Sequence, residues 1–399
     1  MAAPRCNVVG ASLICPRSAN VIVALVYSDH LRILHISSAQ TFGGGERYLV
    51  DLVNALAARG HELFVAVRRR SPLNEKLELP PDNLIELPLR NALDAKTAGA
   101  LAKLTRDRQI EIVHAHMARD YPLAAYAVRR NAGAKLIVTR HVLFPLSRLH
   151  KLTLARVAKV IAVSHAVARD VGAQALVPNE KIAVIHNGVD VDRIESVRSR
   201  FQRTEFLRRW DLPDDRLLVG SVGTLTPLKG YEDLLRAVAR VREATPEAFF
   251  VISGVDSSPG QTYQSALERL IGELDLRDHV RLISWMDDIT DLYCALNIFV
   301  SASHSESFGL AIVEAMAAGA AIVATQTEGA SEIIQDGKTG RLVPLGDAEQ
   351  VAQAIISLLR DSKTRQHMTD AARTAVKEKF SLARMVNETE ALYREALEE

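Results

Sequence analysis

The sequence has little cysteine and no long apolar run, and both absences limit what the protein can be. Only three of its 399 residues are cysteine, so no disulfide framework is expected and a reducing compartment is favoured. No run of 18 apolar residues occurs, so no transmembrane helix is predicted. Residues 1–30 do not make a good signal peptide. These absences predict a cytoplasmic protein, which could still bind the inner face of the plasma membrane peripherally.

A dinucleotide-binding fingerprint is also missing. Three consecutive glycines, Gly43–Gly45, follow the first predicted strand and precede a predicted helix over residues 48–58. Strand, glycine-rich loop and helix form a Rossmann-like opening, but the G-x-G-x-x-G spacing is absent. A Rossmann oxidoreductase is therefore disfavoured. A flexible turn is the simple alternative for the three glycines.

Length and pattern predict two domains of the α/β class. A chain of 399 residues is too long for one ordinary hydrophobic core. Short apolar segments alternate with helix-like segments through both halves, which favours parallel sheets with helices on both faces. Ligands bind beyond the carboxyl ends of such strands. His116 and His141 each follow a predicted strand, so both lie where a ligand would bind, although a lone strand-end histidine is more often structural.

The most informative stretch is ESFGLAIVEAMAAG, which runs from Glu306 to Gly319. An apolar strand and a small polar turn precede it, and good helix formers follow. A helix N-terminus attracts phosphate, and Gly309 lets backbone approach a ligand closely. Glu314 on the helix could accept hydrogen bonds from both ribose hydroxyls, while Glu306 in the loop would face whatever extends beyond the phosphates. The alternative is a plain helix with two solvated glutamates.

Six segments in order resemble the signature of the family 4 retaining glycosyltransferases, which have the GT-B fold. Glu306 and Glu314 are separated by seven residues, as in that signature, with Phe-Gly after the first and Ala-Met-Ala after the second. The other five segments are GGGE at Gly43, HAH at His114, HNGVD at His186, VGTLTPLKGYEDLL at Val222 and EGASEIIQDGKTGRLVPLGD at Glu328. The resemblance covers roughly residues 31–399.

The resemblance implies two Rossmann-like domains that face each other across a cleft. The first, on the acceptor side, would span residues 31–190, and the second, which binds the nucleotide sugar, residues 191–382. A C-terminal helix over residues 383–399 would cross back to the first domain. Residues 1–30 precede the family pattern and are expected to be a poorly ordered extension, with an extra strand as the alternative.

The resemblance also implies a reaction and a set of site residues. A sugar would move from a nucleotide-diphosphate donor to a hydroxyl of a glycan or lipid-linked acceptor, with retention of the anomeric configuration. The implied catalytic residues are His116 and Glu306. The implied donor-binding residues are Gly43, Gly44, Thr224, Lys229, Phe308, Gly309, Leu310 and Glu314. Arg140 and His141 are candidate contacts to the acceptor or the sugar.

No cofactor, metal ion or nucleic-acid partner is predicted. The only Asp-x-Asp pair near a site segment, Asp190 and Asp192, lies in the predicted interdomain linker rather than after a strand. Lys229 and the helix N-terminus would supply the positive charge instead.

Thr224 departs from the family pattern. The family usually has an arginine at this position, five residues before Lys229, and the two cations clamp the diphosphate. A threonine offers one hydroxyl group and no charge. Either Arg47 or another residue replaces the missing cation, or the clamp is weaker.

Charge is unevenly distributed along the chain. Residues 1–200 carry 28 Lys and Arg against 17 Asp and Glu, and residues 201–399 carry 21 against 31, although the net charge is only +1. A basic first half suggests an anionic partner. An anionic membrane surface, a lipid-linked acceptor or an acidic glycan would each fit, and a solvated asymmetry without a partner is the alternative.

Two other functions remain compatible with these motifs. A GT-B epimerase would act on a nucleotide sugar without an acceptor, and a non-catalytic subunit would only bind one. The donor base, the sugar, the acceptor and the linkage are not specified by the sequence.

Overall fold

The computed structural model describes residues 30–284, 286 and 288–399. Apart from His30, the predicted extension over residues 1–30 lies outside the described residues. In the part of the chain that is described, no helix is long and apolar enough to cross a membrane.

Two parallel sheets form the centres of the molecule. The strands of the first sheet are β1 (Arg32–Ser37), β2 (Glu62–Arg68), β3 (Leu84–Leu87), β4 (Ile112–Ala115), β5 (Lys135–Arg140), β6 (Val157–Ala162) and β7 (Ile182–Val184). Those of the second are β8 (Leu217–Val222), β9 (Ala248–Ser253), β10 (Val280–Ile283), β11 (Ile298–Ser301), β12 (Ala321–Thr325) and β13 (Arg341–Val343). Their orders are β3-β2-β1-β4-β5-β6-β7 and β10-β9-β8-β11-β12-β13.

Helices connect the strands and cover both faces of each sheet. In the first half they are α1 (Gly44–Ala58), α2 (Ala95–Asp107), α3 (Tyr121–Arg129), α4 (His150–Leu154), α5 (His165–Ala173) and α6 (Val191–Arg200). In the second half they are α7 (Arg203–Arg209), α8 (Tyr231–Ala244), α9 (Thr262–Glu273), α10 (Thr290–Ala295), α11 (Leu310–Ala318), α12 (Glu328–Ile333), α13 (Ala348–Arg360), α14 (Ser362–Lys379) and α15 (Leu382–Glu398). Short 3-10 helices occur at Pro81–Asn83, Ala118–Asp120, Asn179–Lys181, Pro227–Lys229 and Pro259–Gln261.

The strands are apolar on both faces because both faces are covered. In β1, Ile33 and the following residue, Leu34, are both fully buried but belong to different hydrophobic clusters, one on each side of the first sheet. Successive side chains of a strand point to opposite faces, so a strand inside a doubly covered sheet needs a continuous apolar run. The predicted fold class, two α/β domains with parallel sheets, is confirmed.

The order of strands places one crevice in each domain. The strands of both sheets are parallel, but the order in which they are added changes direction. In the first sheet it changes between β1 and β4, and in the second sheet between β8 and β11. Loops after these strands diverge at the carboxyl edge, and such a reversal is where open parallel sheets bind ligands. Both crevices lie at positions that the sequence motifs also occupy.

The last helix crosses back to the first domain, as predicted. Met385 and Tyr393 of α15 are buried in the same cluster as Leu49 of α1. The crossing is fixed where the interdomain linker meets the start of α15. The backbone N–H of Val189 donates to the carbonyl of Phe380 at 2.9 Å, and that of Leu382 donates to Val189 at 2.8 Å.

Three details of the predicted elements were wrong. Helix α1 begins at Gly44 rather than near residue 48, because Gly43 caps it and donates its N–H to the Glu46 carboxylate at 3.0 Å, which offsets the poor helix propensity of glycine. The alternation of strand-like and helix-like segments predicts a helix over residues 149–158, but the observed helix, α4, ends at Leu154 and β6 begins at Val157. The edge strands β3 and β7 were not predicted, since each is short and only partly buried.

We expect Gly188→Ala to lower the free energy of unfolding by about 1–3 kcal/mol, the usual range for overpacking. A Cβ atom at this position would lie 2.5 Å from the carbonyl oxygen of Ser381. The matched control is Gly99→Ala in α2, where the added Cβ meets nothing within 4 Å. That exposed helical site should gain about 0.5–1 kcal/mol. Denaturant unfolding checks both, and equal stability of Gly188→Ala and the wild type would show that the crossing can shift without loss.

Candidate functional site

A pocket of about 180 Å³ lies between the carboxyl edges of the two sheets. Seven of the ten residues that the resemblance implies as catalytic or donor-binding line it: Gly43, Gly44, Thr224, Lys229, Glu306, Leu310 and Glu314. Gly43 and Gly44 start α1 in the first domain, whereas the other five belong to the second. The pocket therefore exists only where the two domains meet.

Lys229 and Glu306 form an ion pair inside this pocket. The Lys229 Nζ donates to the Glu306 Oε2 at 2.6 Å, and the two side chains are 28% and 19% exposed. The pair joins the loop after β8 to the loop after β11, on either side of the reversal in the second sheet. Lys229 thus reaches the crevice with its charge already matched by a carboxylate.

Gly230 fixes the position of Lys229. It has φ +65°, and a Cβ atom there would lie 2.0 Å from the carbonyl oxygen of Ala302. Only glycine satisfies both the left-handed backbone and this close approach. The loop after β8 is therefore held against the strand end of β11, which brings Lys229 beside Glu306.

Glu314 lines the pocket from the second turn of α11. Its Oε2 accepts a hydrogen bond from the Tyr293 hydroxyl at 3.1 Å, and its Oε1 is 4.0 Å from the Arg47 Nη1. Burial raises the pKa of Glu314, and Arg47 and the Tyr293 hydroxyl partly counteract that rise. A carboxylate offers about four acceptor positions, so Glu314 can accept further hydrogen bonds.

Arg47 is the second cation of the pocket, and it comes from the other domain. It lies in the first turns of α1, and its guanidinium stands 5.7 Å from the centre of the Phe42 ring. Thr224, where the family pattern has an arginine, lines the same pocket. The sequence named Arg47 as a candidate replacement for the missing cation, and the structure brings it to the pocket.

Phe308 and Gly309 shape the loop and do not line the pocket. Phe308 is 2% exposed and packs edge-on against Phe380, with ring centres 5.8 Å apart. Gly309 has φ +110° and starts α11.

The loop that contains Glu306 is also held by Gly329, a residue that the sequence did not single out. Its N–H donates to the Glu306 carbonyl at 3.0 Å, and a Cβ atom there would lie 2.5 Å from the Phe308 oxygen. The only signal for Gly329 was its place in the EGASE segment.

The helix that begins at Glu328, α12, also contacts the first domain. The Glu332 carboxylate accepts hydrogen bonds from the backbone N–H groups of His165 and Ala166, at 2.8 and 2.7 Å. These N–H groups belong to the first turn of α5, whose helix dipole favours a negative charge. Burial pushes the pKa of Glu332 up, but hydrogen bonds from His186 and from these backbone groups outweigh it and lower the pKa.

His116 does not line the pocket; it lies in a cluster with His35, His114 and His141, of which the first two are buried like His116 itself. Its Nε2 is 2.9 Å from the His35 Nδ1, and its ring centre is 4.2 Å from that of His114. Both nitrogens of His114 are engaged, by the Tyr393 hydroxyl at 2.6 Å and by Thr139 at 2.7 Å. The hydrogen bond between His35 and His116 links two members of the cluster, and the ring nitrogens of His35, His114 and His116 lie within 4.8 Å of one another, close enough to hold a metal ion.

Burial keeps these histidines uncharged. It lowers the pKa of His35 and of His141 to about 3, and it lowers the pKa of His114 and His116 well below the usual value, with a smaller effect from neighbouring histidines. The His116 Nδ1 has no hydrogen-bond partner among the described residues. Neutral imidazoles can each donate one hydrogen bond and accept another. His35 was not predicted, because nothing in the sequence relates it to His116.

Arg140 and His141 do not line the pocket. Arg140 is buried at the end of β5, where its guanidinium donates to the carbonyl of Phe144. The His141 ring packs against Tyr48, with ring centres 4.9 Å apart, and neither of its nitrogens has a hydrogen-bond partner in residues 30–284, 286 and 288–399. Their predicted contact with an acceptor or a sugar stays a prediction.

Comparison with known proteins identifies relatives of both halves. The model of the family described as Glycosyltransferase Family 4 matches residues 42–193, and that described as Glycosyl transferases group 1 matches residues 202–375. The N-acetyl-alpha-D-glucosaminyl L-malate synthase of Bacillus anthracis is 25% identical over 381 residues, which cover 91% of this chain and 96% of that protein. The lipopolysaccharide core biosynthesis glycosyltransferase LpsE of Rhizobium meliloti is 28% identical over 352 residues, 85% of this chain and 92% of LpsE.

A solved structure has the same fold. Anabaena Alr3699/HepE, crystallised in complex with UDP and glucose, superposes with a TM-score of 0.79 at 23% sequence identity. The match covers 91% of this chain and 99% of the Anabaena chain.

The histidine cluster predicts how stability depends on pH. His35 has a pKa of about 3 in the folded protein and about 6.5 when unfolded. Between these values the unfolded chain binds the extra proton, so His35 makes the free energy of unfolding fall by roughly 1.4 kcal/mol for each unit that pH decreases below 6.5.

We therefore expect His35→Asn to be less sensitive to acid than the wild type. Unfolding curves from pH 7.5 to 4.5 should show the stability difference between the two proteins shrinking as pH falls. His367→Asn is the control, because His367 is exposed on α14 and solvent surrounds it in both states. Parallel curves for His35→Asn and the wild type would contradict the assignment of a neutral His35.

Proposed function

Since the chain belongs to the family 4 glycosyltransferases, which have the GT-B fold, we propose that it transfers a sugar from a nucleotide-diphosphate donor to an acceptor hydroxyl, with retention of the anomeric configuration. One observation carries the proposal. Two carboxylates, Glu306 and Glu314, and two cations, Lys229 and Arg47, converge on one pocket between the two sheets.

Glu314 would hold the ribose of the donor. Its carboxylate is half-buried beside Tyr293 and Arg47, and its remaining acceptor positions can take hydrogen bonds from vicinal hydroxyls. Leu310 and Ala311 line the pocket at the start of α11, where backbone N–H groups and the helix dipole favour a phosphate. The presence of UDP and glucose in the Anabaena relative supports this class of donor.

Lys229 and Arg47 would neutralise the diphosphate as it leaves. A cation placed where negative charge develops stabilises the transition state most in a site that excludes water. Donor binding would transfer Lys229 from Glu306 to the phosphates and leave Glu306 to accept hydrogen bonds from the sugar. Because two cations and a helix N-terminus face the pocket, we propose that transfer needs no metal ion.

The acceptor proton would pass to the leaving phosphate on the same face of the sugar. Both carboxylates that line the pocket already have partners, Lys229 for Glu306 and Tyr293 for Glu314. A phosphate oxygen that removes the proton while the acceptor attacks from its own side gives retention. His116, uncharged in its buried cluster, would steady the sugar or the oxocarbenium-like state by a hydrogen bond through Nδ1.

The acceptor would enter from the first domain and would be a glycan or a lipid-linked saccharide in a surface-glycan or glycolipid pathway. The relative LpsE carries out lipopolysaccharide core biosynthesis, which supports this class of acceptor. The excess of Lys and Arg in residues 1–200 would attract an acceptor or membrane surface of negative charge. Separately from sugar transfer, we propose peripheral contact with the inner face of the plasma membrane.

Separate roles for the two glutamates are the first test. We expect Glu314→Ala to weaken UDP binding by about 1.5–3 kcal/mol, roughly 10- to 150-fold, because the ribose hydroxyls lose a charged acceptor. Glu306→Ala should bind UDP at least as tightly as the wild type, since it frees Lys229, but should lose transfer. Calorimetry and a transfer assay with the anomeric configuration read by NMR measure these effects.

Glu328→Ala is the control for these two variants, because Glu328 is exposed and paired with Arg169 at 2.7 Å outside the pocket. It should leave both UDP affinity and transfer unchanged. Transfer at the wild-type rate by Glu306→Ala would refute its role. Failure of the wild type to bind any nucleoside diphosphate would refute the donor class.

The second test determines whether Arg47 binds the diphosphate in place of the arginine that the family usually has at position 224. We expect Arg47→Gln to weaken UDP binding by about 1.5–3 kcal/mol. Adding Thr224→Arg to that variant should restore much of the loss, because a guanidinium from the second domain could then reach the diphosphate. Calorimetric affinities of the single and double variants decide the matter. No loss in Arg47→Gln, or no recovery in the double variant, would mean that another group binds the diphosphate.

A further inference from the structure

An exposed apolar segment lies between β5 and β6, at residues 142–152. Of nine large hydrophobic side chains exposed in the part of the chain that is described, four belong to this segment. They are Val142, Phe144, Leu149 and Leu152, which are 37%, 66%, 76% and 71% exposed. Isolated exposed hydrophobic residues are common, but a cluster on one segment marks a contact surface.

The fold holds this segment in place. The buried Arg140 guanidinium donates to the carbonyl of Phe144, and the Leu146 N–H donates to the Gln174 side chain at 2.7 Å. The His150 Nε2 lies 3.1 Å from the carbonyl of Ala118. Leu143 and Leu146 pack against the core while Phe144 points away from it. The exposed side chains are therefore presented by an ordered backbone and are not a frayed loop.

The stretch of sequence around the segment is cationic. Between Asp120 and Asp170 the sequence has nine Lys and Arg and no Asp or Glu. The exposed side chains of Arg148, Lys151 and Arg156 have no carboxylate within 4.0 Å among the described residues. We call the four apolar side chains and these three cations the apolar–cationic patch.

We propose that the apolar–cationic patch docks on a lipid bilayer that contains anionic lipids. Apolar side chains enter the boundary between headgroups and acyl chains, while neighbouring Lys and Arg side chains bind the anionic headgroups. A second copy of the chain is a poor occupant, because an isologous contact would place the same unpaired cations against each other.

The patch adjoins the first-domain wall of the pocket. It begins directly after His141, whose ring lies 3.5 Å from where a Cβ atom of Gly45 would be, in the first turn of α1. Helix α1 supplies Gly43, Gly44 and Arg47 to the pocket. An acceptor anchored in the docked bilayer would therefore approach the cleft from the side of the first domain. This part of the inference rests on the proposed function, whereas docking itself does not.

Sedimentation with vesicles tests the docking. The full-length protein should bind vesicles of phosphatidylcholine with phosphatidylglycerol more tightly than vesicles of phosphatidylcholine alone. Two triple variants separate the contributions: Phe144→Ser with Leu149→Ser and Leu152→Ser, and Arg148→Gln with Lys151→Gln and Arg156→Gln. Each should weaken binding to anionic vesicles by at least tenfold, since one cation near such a surface contributes roughly fivefold. The cation variant should also lose the preference for anionic lipid and the dependence on salt.

Two controls locate the contact. A variant with Arg269→Gln, Lys338→Gln and Leu345→Ser removes exposed cations and an exposed leucine from the second domain and should bind like the wild type. A variant with Arg68, Arg69 and Arg70 replaced by Gln removes a basic run at the end of β2 and should lose less than the patch variants. Binding that depends on residues 68–70 and not on the patch would overturn the proposal. The proposal would also be overturned if the wild-type protein bound neither kind of vesicle, or if the patch variants changed only the oligomeric state in solution.

A second measurement separates docking from catalysis. The patch variants should bind UDP as the wild type does and should transfer sugar to a detergent-dispersed acceptor, while losing transfer to the same acceptor in vesicles. Vesicle binding without UDP binding would refute the proposed function and leave docking intact. UDP binding and full transfer to vesicle-borne acceptor by both patch variants would refute docking and leave the proposed function intact.

Discussion

The balance of charge between two carboxylates and two cations in the cleft is the interaction on which the site depends. Burial disfavours the charged form of Glu314. The guanidinium of Arg47, which belongs to the other domain, partly offsets this effect. Glu306 is matched within its own domain by Lys229. Because one of the two cations must cross the cleft, this balance requires the two sheets to face each other. The close backbone contacts at Gly188, Gly230 and Gly329 then act as spacers that set where these four charges meet.

Much of the architecture and of the pocket could be predicted from the sequence, because both depend on local signals. Continuous apolar runs separated by helical segments identified most of the strands, and the spacing of Glu306 and Glu314 placed one in a loop and the other on a helix. Gly43 identified the segment of the first domain that lines the pocket. Each of these signals lies within a short stretch of sequence, so the local structure that it predicts does not depend on distant residues.

The remainder depends on residues that are distant in sequence. His35 meets His116 across 81 positions, because β1 and β4 are neighbours in the sheet although helices and two further strands separate them in the chain. Gly329 supports the loop of Glu306 only because α12 packs on it. The start of α1 was misplaced because glycine propensity suggested a loop, and a carboxylate cap overrode it. Arg140 ended a strand, as the pattern indicated, but it faces the segment that follows rather than the pocket.

Helix α12 has only six residues, and both of its ends are fixed. Near its start, Gly329 holds the backbone of the Glu306 loop, and near its end, Glu332 caps α5 in the first domain. Helix α12 therefore connects the interface between the two domains to the loop that contains Glu306. A rotation that opens the cleft must either break the cap at Glu332 or pull on that loop through Gly329. Through these two contacts, the position of the Glu306 loop depends on how the two domains are oriented.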